Sequence, residues 1–135
     1  MGEEGSYFRR LYKLFKGGFK KDKEEDGGLK WGLGIAVPFF FSSKFAVHDE
    51  TITIHGIQTT HDEYSPIKYS IVKITKLGTS IEYFDSVTFY GDSGEEGINY
   101  TFTVPNGTGY QLEIFNYFHY HASGNVKMLK KELPS

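Results

Sequence analysis

His119 and His121 are separated by one residue. A strand carrying both would point both imidazoles the same way, so that two nitrogens could reach one zinc ion. A third ligand would have to come from elsewhere, and His55, His61, Asp62 and Glu63 are residues of the right type. No spacing selects among them, and ordinary surface histidines are the competing account. The segment Gly91 to Gly97 (GDSGEEG) sets Asp92, Glu95 and Glu96 among glycines. A hard cation such as calcium takes several oxygens from a flexible turn. The segment does not follow EF-hand spacing, and a solvated acidic turn between strands accounts for the same composition. A calcium or zinc ion held by His119, His121, Asp92, Glu95 or Glu96 is therefore the weak metal option, and no other cofactor is implied.

Catalytic motifs are missing from the sequence. There is no Gly-x-Ser-x-Gly elbow, no phosphate-cradling glycine loop and no His-Glu-x-x-His. The chain has no cysteine, which excludes disulfides, Cys-ligated zinc and thiol catalysis. The reading is a non-enzyme, with a metal-dependent hydrolase as the second alternative.

Aromatic residues offer a different chemistry. After Gly109, a straight strand would put Leu112, Ile114, Asn116, Phe118 and Tyr120 on one face. Gln111, Glu113, Phe115, Tyr117, His119 and His121 would share the other. The second face begins polar, which predicts that it points outward. Phe115, Tyr117, His119, His121 and Glu113 are then the candidate partner-binding residues, since exposed rings stack on sugars, bases or partner side chains. A phase slip near Asn116 or a covering layer would bury them instead.

A second candidate surface lies near the start. Tyr7, Phe8, Leu11, Tyr12, Leu14 and Phe15 recur at helical spacing, with Arg9, Arg10, Lys13 and Lys16 opposite. Ser6 is suited to cap this short helix and Gly17-Gly18 to end it. From Tyr7 to Lys23 seven basic residues face one acidic one, +6, whereas from Gly27 onward eight lysines face eleven carboxylates, −3. A helix of about ten residues is marginal alone in water and needs a surface. Its own sheet, a protein partner or second subunit, and an anionic membrane are the three candidates. Nucleic acid is disfavoured, because only this patch is basic.

The elements that must position these residues read as strands. Thr51–His55 and Asn99–Val104 alternate polar and apolar, and Gln111–Ile114 begins a third such run. Lys68–Lys76 puts Tyr69 and Ile71 on one face and Val72 and Ile74 on the other, which predicts a bulge or a strand buried on both faces. Ser80–Tyr90 is strand-like, and Asn125–Leu129 makes a closing strand. The apolar segment Leu29–Val47, interrupted by Pro38, reads as one or two buried strands, with a signal or membrane-insertion segment as the alternative. Polar turns separate these runs. The closing stretch Phe102–Leu129 resembles the last strands of small extracellular bacterial β-sandwiches, with no diagnostic motif.

The expected fold is all-β: an antiparallel β-sandwich, or small barrel, of about seven or eight strands with a short N-terminal amphipathic α-helix. Residues 1–28 would form the basic helix and an acidic Gly-rich linker, and 29–135 the sandwich. With 135 residues, 39% hydrophobic and 17% aromatic, the chain has room for one real core. The expected function is a non-catalytic binding or assembly module, secreted or cell-surface rather than cytoplasmic, of bacterial or phage type. It would contact a protein partner or itself through the helix (Tyr7, Phe8, Arg9, Arg10, Leu11, Lys13, Phe15, Lys16) and the aromatic/His strand face. The first alternative is a membrane-active, toxin-like or peripheral protein using the helix and residues 29–47.

Overall fold

The structure is a computed structural model and describes residues 28–118 and 120–129. The expected N-terminal helix lies outside the described residues, as does His119. Nine strands are formed among the described residues: β1 (Leu29–Leu33), β2 (Phe39–Phe41), β3 (Phe45–Val47), β4 (Thr51–Thr59), β5 (Pro66–Thr75), β6 (Ser80–Tyr90), β7 (Ile98–Thr103), β8 (Gly107–Asn116) and β9 (Ala122–Leu129). They make two antiparallel sheets. One has the order β1-β9-β4-β7; the other runs β2-β8-β5-β6, with β3 also on β8. The all-β expectation holds, and Leu29–Val47 supplies three strands.

β2 and β3 act as one edge strand interrupted at Ser42–Lys44. Phe39 to Phe41 pair with Phe115 to Glu113, and Phe45 pairs with Tyr110. Ser42 closes the gap: its backbone N–H donates to Leu112 O at 2.9 Å, and its Oγ accepts from Leu112 N at 2.9 Å. The buried Gln111 amide donates to Ser42 O at 2.7 Å. These bonds satisfy backbone groups that a broken strand would otherwise strand in the interior.

The sheets use the period-two rule differently. In the first sheet alternation is clean, since Leu29, Trp31 and Leu33 are buried while Lys30 and Gly32 are exposed. On its outer face Thr53 and Thr101 pair hydroxyl to hydroxyl at 2.7 Å. Its inner side chains meet Ile67, Tyr69, Ile71, Tyr110, Leu112 and Ile114 of the second sheet to form the main core. The second sheet buries both of its faces. Along β8 every residue from Tyr110 to Asn116 is buried. A separate apolar cluster, Phe39, Phe41, Val72 and Phe115, occupies the other side of this sheet, with Ile74 and Ile81 at its edge.

The expected irregularity in β5 resolves into a strand buried on both faces, with the bulge taken up by its neighbour. Ile71 pairs with Asp85 and Val72 with Tyr83, so Phe84 of β6 is the additional residue. The phase change turns the Phe84 ring inward, edge-on to Tyr110 at 5.1 Å.

Close approach of β4 and β9 requires glycine. A Cβ on Gly56 would fall 2.0 Å from Asn125 O, and one on Gly124 would fall 2.7 Å from the Trp31 ring. Beneath the loops at one end, the Tyr69 hydroxyl donates to Gln58 Oε1 at 2.7 Å. The Gln58 amide in turn donates to Gly91 O at 2.8 Å and Phe89 O at 3.3 Å. Burial raises the Tyr69 phenol far above its ordinary value.

Candidate functional site

The strand face expected to carry the binding rings is largely covered. Glu113 is 1% exposed and accepts from the Tyr83 hydroxyl at 3.2 Å, and Phe115 is 5% exposed. Phe115 packs against Phe39 at 6.0 Å because β2 pairs alongside it. The outward orientation was inferred correctly from the alternation, whereas exposure does not follow from it. β8 also ends at Asn116, so Tyr117 and Phe118 lie in a turn and the two-face pattern stops there. Tyr117 and His121 are exposed. His121 precedes β9 rather than extending β8.

Among the described residues no group of three or more His, Asp or Glu converges as metal ligands. Asp92 uses Oδ1 to accept from Thr60 N at 2.8 Å. Glu95 and Glu96 sit on an exposed turn between β6 and β7, where Gly91, Gly94 and Gly97 adopt positive φ. Asp62 accepts from Tyr64 N at 2.9 Å and Ser65 Oγ at 3.0 Å, an Asx turn rather than a ligand. The helix residues Tyr7 to Lys16 lie outside the described residues.

The structure instead gathers rings at one end of the sandwich. Antiparallel pairing brings four loops there: residues 34–38, 60–65, 91–97 and 117–121. Tyr64, Tyr90, Tyr117, Phe118 and Tyr120, at or beside these loops, are between 44% and 68% exposed. Ile35, on the first loop, is 81% exposed. An outward ring cluster of this kind is uncommon on an isolated domain.

Hydrogen bonds and stacking tie the loops together. Gly91 N donates to Ser65 O at 3.0 Å, and Ser93 N donates to Gln58 O at 3.0 Å. The Asp92–Thr60 bond joins the same two loops. Tyr117 N donates to Pro66 O at 3.4 Å, and the His61 ring stacks on Tyr120 at 4.4 Å. Asn116 anchors the last loop by donating its amide to Tyr120 O. The Gln58–Tyr69 pair lies directly below, so the rings stand on a base fixed to the core.

The charged residues of the four loops have one sign. The four loops carry Asp62, Glu63, Asp92, Glu95 and Glu96, and no lysine or arginine. The Tyr64 phenol is held above its ordinary value chiefly by its hydrogen bond to Glu63, then by desolvation and Asp62. Beside the loops, Lys68 places Nζ 6.0 Å from the Tyr117 ring centre and 5.0 Å from that of Tyr83. Rings beside carboxylates form a surface that favours cations, by ring quadrupole and by Coulomb attraction. The sequence offers Tyr117 as a contact residue and the acidic turn as a metal candidate, whereas Tyr64, Tyr90, Phe118, Tyr120 and Ile35 were not among its candidates. A search for rings near turns without lysine or arginine would have found them.

No family model matches the chain, and no curated protein does. Among solved structures the chain is similar to one described as "Crystal structure of PirA", at 9% identity and a TM-score of 0.47, over 83% of this chain and 100% of that one.

Proposed function

We propose that this protein is a non-catalytic binding module whose loop end recognises a protein partner through lysine or arginine side chains. The observation that carries this reading is the collection of exposed Tyr and Phe rings on four cross-tied loops that bear five carboxylates and no lysine or arginine. Tyrosine gives large contact area with few rotatable bonds, so little entropy is lost when it orders against a partner. Cation–π contacts and the loop carboxylates supply selection for positive charge. This reading keeps Tyr117 and His121 as contact residues. It replaces Phe115 and Glu113, which are buried, with Tyr64, Tyr90, Phe118 and Tyr120.

The test is titration of the full chain with an oligolysine peptide and, in parallel, an oligoglutamate peptide, followed by NMR shifts of the loop amides. The oligolysine peptide is expected to shift residues 60–65, 91–97 and 117–121, with an affinity that falls as salt is raised. Shifts confined to other surfaces, or equal binding of oligoglutamate, would reject the reading.

A further inference from the structure

The loop end and the outer face of the first sheet are complementary in charge. The strands of that sheet, β1, β4, β7 and β9, contain Lys30, His55 and Lys127 and no Asp or Glu. All three side chains are exposed. Register places them on one face. Lys127 pairs with His55, which pairs with Asn99 on its other side, and Lys30 pairs with Asn125, two residues before Lys127 on the same strand. Side chains two apart on a strand share a face. The same face shows Ile57, 53% exposed, beside Asn125, and Leu129, 44% exposed, beside Thr53. Thr101 and Thr103 of β7 add exposed hydroxyls. The second sheet has no such bias, since β5, β6 and β8 mix Lys68 and Lys73 with Glu82, Asp85 and Glu113.

We infer that the loop end of one copy of this chain docks on the outer face of the first sheet of another, with Lys30 and Lys127 as the cations that its rings and carboxylates select. The inference rests on the loop-end reading and names its partner. Two observations select a second copy. The first is charge. Five loop carboxylates meet strands that bear two lysines and no carboxylate, so the contact brings no like charges together. The second is chemistry. Rings attract ammonium groups, and Ile57 and Leu129 offer the rings apolar surface to cover. The contact has to be between copies. The loops close the strand ends and are tied down by the Gly91–Ser65 and Ser93–Gln58 backbone bonds, so they do not reach the flank of their own sheet.

Size sets the strength. β4 has nine residues, about 30 Å, and four strands span roughly 14 Å. A face of roughly 400 Å² is about half of what one partner of a standard stable complex buries. The association is therefore weak and follows protein concentration. The two surfaces differ, so every dimer keeps one loop end and one sheet face unused, and growth continues head to side past two copies.

The test is sedimentation velocity of the full chain over a range of concentrations, at low ionic strength and at about 1 M salt, where screening acts over about 3 Å. At low ionic strength the mean sedimentation coefficient should rise with concentration past the dimer value, and salt should abolish the rise. Lys30→Glu with Lys127→Glu should leave a monomer. So should Glu95→Lys with Glu96→Lys, on the exposed turn. An equimolar mixture of the two variants should form a dimer and nothing larger, because only the loop end of the first and the sheet face of the second are intact. Fluorescence of Trp31, in the main core, reports that each variant is folded. A monomer at every concentration overturns the inference, and if oligolysine still shifts the loop amides of that monomer, the loop-end reading stands. Self-association that either variant leaves unchanged overturns it, as does a mixture that stays monomeric. Where a charge-reversed chain does not fold, Lys30→Gln with Lys127→Gln, or Glu95→Gln with Glu96→Gln, takes its place. The neutral pair should weaken self-association by several-fold, and no weakening overturns the inference.

Discussion

Tyr69 and Tyr120 are chemically identical side chains placed in opposite settings. Tyr69 is fully buried, edge-on to Trp31 at 6.3 Å and to Phe89 at 6.0 Å, and its hydroxyl donates to Gln58. Tyr120 is half exposed and stacks on His61 at 4.4 Å. The interior rings are held by area and by a matched hydrogen bond, so their removal should be felt through stability. The loop-end rings leave much of their area in water, so their removal should be felt through binding. Aromatic content alone does not separate these uses; the hydroxyl's partner and the residual exposure do.

The largest expected effect comes from the interior backbone. Gly56→Ala would push a methyl to 2.0 Å from Asn125 O and 2.8 Å from Val126 Cα. The β4–β9 ladder must then open, at a cost above about 4 kcal/mol. A domain whose total stability is roughly 5–15 kcal/mol would be largely lost. Urea denaturation or failure of soluble expression would register this, and a midpoint close to that of the natural chain would show that β9 is not tightly seated.

Tyr69→Phe against Tyr120→Phe is the sharper pair. The first removes a donor from buried Gln58 and should lower stability by about 1–3 kcal/mol. The second removes a hydroxyl from the loop end and should stay within about 0.5 kcal/mol of the natural chain. Equal effects in urea denaturation would erase the distinction between the two regions.

Alkaline titration probes the same contrast from another side. Burial raises the phenol of Tyr69, and burial followed by the charge of Glu82 raises that of Tyr110. The folded chain therefore holds these protons more tightly than the unfolded chain does. Their contribution is full below about pH 10, the ordinary tyrosine value, and is lost as pH rises beyond it. The urea midpoint should be flat to about pH 9.5 and then fall, with a shallower fall in Tyr69→Phe. A midpoint insensitive to pH between 10 and 11 would contradict the burial of these phenols.

Much of the fold was legible because one sheet obeys the simple alternation rule. Ile52 and Ile54 in β4, and Ile98 and Phe102 in β7, are buried at alternate positions against a wet outer face. β8 was legible in phase and illegible in burial. Glu113 and Phe115 point away from the main core, and no local pattern reveals whether something lies over them. The candidate site was less legible still. Tyr64, Tyr90, Phe118 and Tyr120 are separated in sequence and belong to three chain segments, so no periodicity joins them. Only the pairing of β5 with β6 and of β4 with β9 brings those segments to one end.

Removing the rings proposed to bind should cost little stability. Tyr117→Ser combined with Tyr120→Ser removes two half-exposed rings while leaving the Tyr117 N to Pro66 O bond available to the backbone. Tyr117 does touch the covered face, edge-on to Phe115 at 4.8 Å, so a small loss of about 0.5–1 kcal/mol is expected there. Oligolysine affinity should fall by about tenfold, the equivalent of one or two cation–π contacts. Phe115→Ser makes the informative counterpart, because it should destabilise the fold by several-fold more and leave the affinity of the folded fraction unchanged. If the double serine chain binds as well as the natural one, the loop-end rings are not the contact surface. If it instead unfolds as readily as Phe115→Ser, the loop end is part of the interior, and the division between the two sets of rings fails.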